Sequence, residues 1–175
     1  MHMVLKGDYF DGQWHSPKGA SDETLLKKSP ADLSQTLWEA HVWHAHTEGA
    51  VLSAQKGFEV WRKYSFEQRS NIIRAYQEAV KKRGDAIAEA LAWEVGKPLW
   101  EAKTEAAALV TKVDVTLGDS WKRIERKTIK DVMPKIDGHT IMKPIGVAFV
   151  IGPFNFPCHL ANGQILAALT AGNSV

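Results

Sequence analysis

Residues 147–175 read VAFVIGPFNFPCHLANGQILAALTAGNSV, and the fold class turns on them. Gly146 to Ile151 is a nearly unbroken apolar run, the pattern of a parallel strand covered on both faces. The hexapeptide Gly152-Pro153-Phe154-Asn155-Phe156-Pro157 follows as a turn stiffened by proline at two positions. Leu160 to Ala171 is apolar enough to be a packed helix, with Gly172 as its stop. Asn173-Ser174-Val175 then turns into another strand. Strand, helix and strand in that order make one unit of a doubly wound α/β sheet. One such unit needs neighbouring strands that the chain does not offer. The expectation is therefore one piece of a larger enzyme.

Upstream of this unit the texture is different. Lys6 to Trp14 carries aromatics around Asp11-Gly12, a hairpin signal. Lys27 to Asp32 reads as loop and Thr36 to His44 as a strand. Thr47 is a candidate cap for a helix reaching Trp61, with Glu48 in its first turn. Ser65-Phe66-Glu67-Gln68 has capping-box spacing. The helix behind it shows Ile72, Ile73, Tyr76, Ala79 and Val80 at helical spacing and ends near Gly84. Asp85 to Val95 forms a third helix stopped by Gly96, and Pro98 suits the first turn of a fourth. Leu99, Ala102, Ala106, Leu109, Val110, Val113 and Leu117 trace one stripe along that fourth helix towards Trp121. Ile124 to Val132 and Thr140 to Lys143 flank Asp137-Gly138, a second hairpin signal. The expected division is a strand-and-helix part at 1–121, a β-hairpin at 122–144 and the strand–helix unit at 145–175.

Composition narrows the function classes. The chain has 175 residues, 45% hydrophobic and 24% charged, which suits a globular protein. A formal charge of +2 is too small to argue for nucleic acid. The basic run from Lys122 to Lys130 reads as a solvated strand face. The opening MHMVLKGDYFDGQW lacks the apolar segment of a signal peptide. No run approaches the ~20 apolar residues of a membrane span. One cysteine excludes an internal disulfide and fits a reducing compartment, so a cytoplasmic location is expected.

Asn155 is the first candidate for chemistry. It follows the carboxyl end of a buried strand, where open α/β sheets place their ligands. Its carboxamide NH2 beside a helix N-terminus could stabilise a developing oxyanion by about 3–4 kcal/mol. From spacing alone, shaping the turn or capping the helix is the simpler role. The turn lacks the G-x-G-x-x-G dinucleotide fingerprint, and Pro153 and Pro157 remove two amides that a pyrophosphate loop would use. Cys158 invites reading as a nucleophile, since a helix N-terminus can lower a thiol pKa; a small space-filling role is the alternative. On a strand, His44 and His46 would share a face with His41 opposite, and no carboxylate or thiol stands at ligand spacing. They read as exposed or packed histidines, so no metal site is expected. Glu94 to Pro98 reads as a helix junction explained by its glycine and proline.

Three motifs in register carry a resemblance. GPFNFP at 152–157, WEVGKPLWEA at 93–102 and AGNSV at 171–175 resemble the G/I-P-x-N-F-P, E-T-G-K-P-x-x-E-A and A-G-N-x-V elements of the aldehyde dehydrogenase superfamily, in the family's order and spacing. The similarity covers nearly the whole chain and places it in the N-terminal portion of that fold. NFPCHLANGQILAALTAGN and WEAKTEAAALVTKV are closest to the succinylglutamate semialdehyde dehydrogenase branch, which reads N-F-P-G-H-L-P-N-G-H at the turn.

The resemblance implies roles for particular residues. Asn155 falls on the oxyanion-hole asparagine that steadies the thiohemiacetal and thioester intermediates. Ile151, Gly152, Pro153 and Phe154 fall on positions lining the nicotinamide and ribose side of an NAD or NADP site. The hairpin around Asp137-Gly138 matches strands that build the subunit interface, which implies a homo-oligomer. The family usually has a small residue where Cys158 stands, and its nucleophilic cysteine and general-base glutamate have no counterpart here. The expectation is thus a segment of an aldehyde-oxidising enzyme, inactive without the remainder of that enzyme. Its alternative is a non-catalytic remnant that oligomerises or forms one half of a split enzyme.

Overall fold

The structure is a computed structural model describing residues 5–16 and 20–175. The first four residues of the opening stretch, and Pro17 to Gly19 of the 1–121 part, lie outside the described residues. Among the described residues the architecture is α/β: three two-stranded antiparallel sheets, five α-helices and one parallel bridge.

Strands β1 (Asp8–Phe10) and β2 (Gln13–His15) close over Asp11 and Gly12, both at positive φ as a two-residue hairpin requires. Strands β3 (Glu23–Lys28) and β4 (Thr36–Val42) form the second sheet. The loop expected at Lys27 to Asp32 is corrected at its first two residues, since Lys27 pairs with Trp38 and Lys28 with Thr36 across a bulge, and holds from Ser29 to Asp32. The ETLLKK sequence has no apolar alternation, so its strand state comes from pairing with β4.

Helix α1 spans Ala45–Trp61 and does not use Thr47 as its cap. His44 occupies the cap position, and its amide donates to the Asp22 carboxylate at 2.8 Å. A side chain from outside the helix fixes the start, so no local cap is needed. His44 and His46 therefore sit at a helix N-terminus rather than on a strand with His41. Helix α2 (Phe66–Lys82) begins with the expected capping box: Gln68 N–H donates to Ser65 Oγ, and Ser65 N–H to Gln68 Oε1. Helix α2 ends at Lys82, close to Gly84 as expected, and Gly84 is the first residue of α3 (Gly84–Val95). Gly96 closes α3 at φ +78. Helix α4 spans Leu99–Val115, with Pro98 one position earlier than expected, at the cap. It runs into a π turn at Thr116–Ser120 and a 3-10 turn at Trp121–Arg123.

Helix α4 is the hub of the core. Ala102 and Ala106 pack with Ala88 and Leu91 of α3, and their small side chains let the two backbones approach. Val113 packs with Ile73 of α2 and with Leu166 of the last helix, α5 (His159–Thr170). Leu109 is buried on the same stripe, whereas Leu99 at its start is half exposed.

The second hairpin pairs β5 (Lys127–Met133) with β6 (Ile136–Thr140). Its tight turn is Pro134-Lys135, not Asp137-Gly138: Met133 pairs with Ile136, and Lys135 has φ +64. Proline fixes the first turn residue and Lys135 takes the left-handed position. Asp137 instead accepts from the amide of Asp131, a bulged residue at φ +49. A Cβ on Gly138 would lie 3.1 Å from Val132 Cγ1, so this glycine serves a close approach.

The strand expected at Gly146 to Ile151 is reduced to one parallel bridge, Val147 to Ser174. Ala148 N–H donates to Ser174 O at 2.8 Å and Ser174 N–H to Gly146 O at 3.1 Å. The expected cover on both faces is also corrected: Ile145, Phe149 and Ile151 are exposed, because no second strand or facing layer lies over them among the described residues. Gly172, at φ +93, reverses the chain after α5 as expected.

Ser65→Ala removes one half of the capping box. It should cost about 1 kcal/mol, measured as a lower urea midpoint at unchanged m-value.

Candidate functional site

The turn at Gly152 to Pro157 is shaped before any partner arrives. Pro153 and Pro157 restrict φ at two of its six residues. A Cβ at Gly152 would sit 3.0 Å from the Pro157 carbonyl oxygen and 3.1 Å from Ala161 Cβ. The absence of a side chain there lets the turn fold back onto the first turn of α5.

A buried ion pair then fixes the turn in space. Lys97, from the α3–α4 junction, donates to Glu105 Oε2 at 2.6 Å and to the Asn155 carbonyl at 2.8 Å. Its ammonium also lies 4.1 Å from the centroid of the Phe156 ring. The other oxygen of Glu105 accepts from the amides of Cys158 and His159, each at 3.1 Å. The Glu105 side chain is 0% exposed and that of Lys97 is 6% exposed. A carboxylate at a helix N-terminus satisfies two orphan amides and opposes the positive end of the dipole. Two of the donors that could bind a phosphate are thus occupied, and Pro157 has none to offer.

The far end of α5 is held with the opposite polarity. The buried Arg69 donates through Nε to Thr170 O at 3.0 Å, and Trp61 Nε1 to Leu169 O at 2.9 Å. In the middle, Asn162 bridges Tyr76 and Leu109: it accepts from the Tyr76 hydroxyl at 2.7 Å and donates to Leu109 O at 3.3 Å.

Asn155 itself is exposed at the rim of the turn, and no protein partner engages its carboxamide among the described residues. Ile151 is 74% exposed and Phe154 is 89% exposed. Gly152 is exposed and Pro153 half-buried, so the run Ile151 to Asn155 forms one open ledge. Apart from Pro153, which has no N–H, the backbone amides of Phe149 to Asn155 find no protein acceptor among the described residues. The ledge is apolar and donor-bearing, and it is open rather than enclosing. A cavity of about 940 Å³ lies elsewhere, between Trp14, Leu25, Glu39, His41 and Arg83.

Cys158 is half-buried, packing against the Ala88, Leu91, Ala102 and Ala106 cluster. Burial first, and then the Glu105 carboxylate, push its thiol above the ordinary cysteine range, with Lys97 acting in the other direction. The environment keeps it protonated, the reverse of what nucleophilic attack requires. Sequence reasoning missed Glu105. The signal was a glutamate on the apolar stripe, one residue before Ala106 and four before Leu109.

The sequence model described as "Aldehyde dehydrogenase family" matches residues 17–175. N-succinylglutamate 5-semialdehyde dehydrogenase of Chromobacterium violaceum is 37% identical over 170 residues, covering 95% of this chain and 33% of that protein. The crystal structure of an aldehyde dehydrogenase from Brucella melitensis biovar abortus matches with a TM-score of 0.81 at 26% identity, over 94% of this chain and 33% of that one. An NADP-dependent enzyme of E. coli matches with a TM-score of 0.79 at 26% identity, over 94% and 34%. The chain thus spans about a third of the length of these relatives.

Glu105→Leu leaves the Lys97 ammonium buried without its counter-charge and should cost about 3–5 kcal/mol in denaturant unfolding. Adding Lys97→Met to that variant should recover part of the loss. Alkylation of Cys158 by iodoacetamide should be slower than that of a free cysteine at pH 8. Its pH-rate midpoint should lie above the ordinary thiol value, because thiolate forms only above the raised pKa.

Proposed function

The chain belongs to the aldehyde dehydrogenase family, and from that premise we propose that it supplies the oxyanion side of an NAD(P)-dependent enzyme oxidising succinylglutamate semialdehyde. Carrying this reading is one observation: a turn locked to α5 by Lys97 and Glu105 that leaves the Asn155 carboxamide exposed and unengaged. Four relatives at 35–37% identity bear the name of that semialdehyde's dehydrogenase, which supports the substrate.

In this reading Asn155 donates to the aldehyde oxygen as it gains negative charge during attack. A preformed donor costs no reorganisation at that moment. Ile151, Gly152, Pro153 and Phe154 present the ledge on which the nicotinamide end of NAD or NADP rests. When bound, that cofactor accepts the hydride of the aldehyde. Cys158, kept protonated, is not the nucleophile. The attacking thiolate and the general base come from the part of the enzyme corresponding to the relatives' remaining two-thirds.

The β5–β6 hairpin belongs to the same reading as an arm between subunits of a homo-oligomer. Every residue of β5 is exposed, including Ile129, Val132 and Met133, and Ile136 follows on β6. That apolar arm also favours a second reading, in which the chain oligomerises without catalysing.

The test is dehydrogenation of succinylglutamate semialdehyde by the gene product, followed as NAD(P)H absorbance. Asn155→Ala should lower kcat about 10²–10³-fold and change the aldehyde KM far less. Turnover unaffected by that substitution would refute the oxyanion role. Absence of turnover in the 175-residue chain, with oligomers present on sedimentation, would favour the second reading.

A further inference from the structure

We infer that Lys97 and Glu105 are positioning residues for catalysis, holding the Asn155 backbone where its carboxamide meets the reacting oxygen. This inference rests on the oxyanion role proposed for Asn155. A helix junction needs only Gly96 to end α3 and Pro98 to start α4; it does not need a buried charge pair. Such a pair is weak evidence for stability, because desolvation offsets much of the attraction. The contacts show what this one does.

Most of what the pair makes beyond itself ends on the turn. One ammonium proton goes to Glu105, one to the Asn155 carbonyl, and the ammonium sits against the Phe156 ring. Glu101, 3.9 Å away, is the remaining carboxylate near it. Both Glu105 oxygens are also used, one by Lys97 and one by the amides of Cys158 and His159. Peptide units on both sides of Pro157 are thereby tied to α4, the most enclosed helix of the core. Asn155 has its carbonyl anchored and its side chain free, so the pair sets the backbone from which the carboxamide projects.

The occupied helix end adds discrimination. Glu105 takes two amides, those of Cys158 and His159, that would otherwise compete for a negative oxygen. An oxyanion approaching this ledge then meets the Asn155 carboxamide as an unengaged side-chain donor. Misplacing a catalytic donor by about 1 Å can cost about 10²-fold in rate, so loosening this anchor should be read in kcat.

Two measurements test the inference. In the 175-residue chain, Lys97→Met should speed hydrogen exchange at Cys158, His159 and Leu160, whose amides are bonded to Glu105 and to the Phe156 carbonyl, while the amides around Ile73 and Val113 stay protected. Uniform acceleration, or none, would overturn it. In the active enzyme, Lys97→Met should lower kcat about 10²-fold with both Michaelis constants nearly unchanged. The same substitution made in Asn155→Ala should cost nothing further, since residues acting as a unit are non-additive. Lys97→Gln, which keeps a neutral donor, guards against a folding failure and should show a smaller loss with the same non-additivity. A multiplicative loss in the double variant overturns the inference and leaves the role of Asn155 standing. If Asn155→Ala alone leaves turnover intact, the functional reading falls and takes the positioning role with it.

Discussion

The Glu105 carboxylate, buried between the Lys97 ammonium and the first amides of α5, is the constraint on which the rest depends. Without it the helix would start with orphan donors in a half-buried setting, and the lysine would be a buried cation without its counter-charge. With it, the α3–α4 junction and the middle of α4, eight residues apart, become one unit with the 152–159 turn, more than 50 residues further on. The pair is neutral overall, so it adds little net field at the ledge while fixing its geometry.

The same logic operates at the other end of α5. Arg69 and Trp61 take the carbonyls of Thr170 and Leu169, where the helix dipole is negative. The helix is therefore clamped by a carboxylate at its start and a guanidinium at its end, with Asn162 tied to Tyr76 and Leu109 between them. Its apolar contacts with Ile73 and Val113 give adhesion, but the polar clamps define its register along α4. A slide of one helical turn would break both clamps.

Much of this was legible in the sequence where the determinant was local. Asp11-Gly12, the Ser65 capping box, Gly96 and Gly172 each dictate a backbone conformation within a few residues, and each was read correctly. Local reading failed where a distant group decides. Asp22 starts α1 in place of Thr47, and β4 draws Lys27 and Lys28 into a strand; at the second hairpin two turn signals stand side by side, and Pro134-Lys135 makes the turn while Asp137 supports the Asp131 bulge. The candidate residues Ile151 to Asn155 are contiguous, so their proximity was given; their roles came from resemblance and not from spacing. The Glu105 link to Cys158 spans 53 positions, and no periodicity in the chain encodes it.

The single bridge between Val147 and Ser174 bears on the order in which this polypeptide matures. Helices α2 to α5 complete their mutual contacts within residues 66–170, so that layer can consolidate as it leaves the ribosome. The segment carrying Phe149 and Ile151 cannot do the same, because its ladder has one rung and its apolar row faces water. That row stays open when the helical layer is complete, and an exposed apolar row of this kind is where a holding chaperone would bind during synthesis.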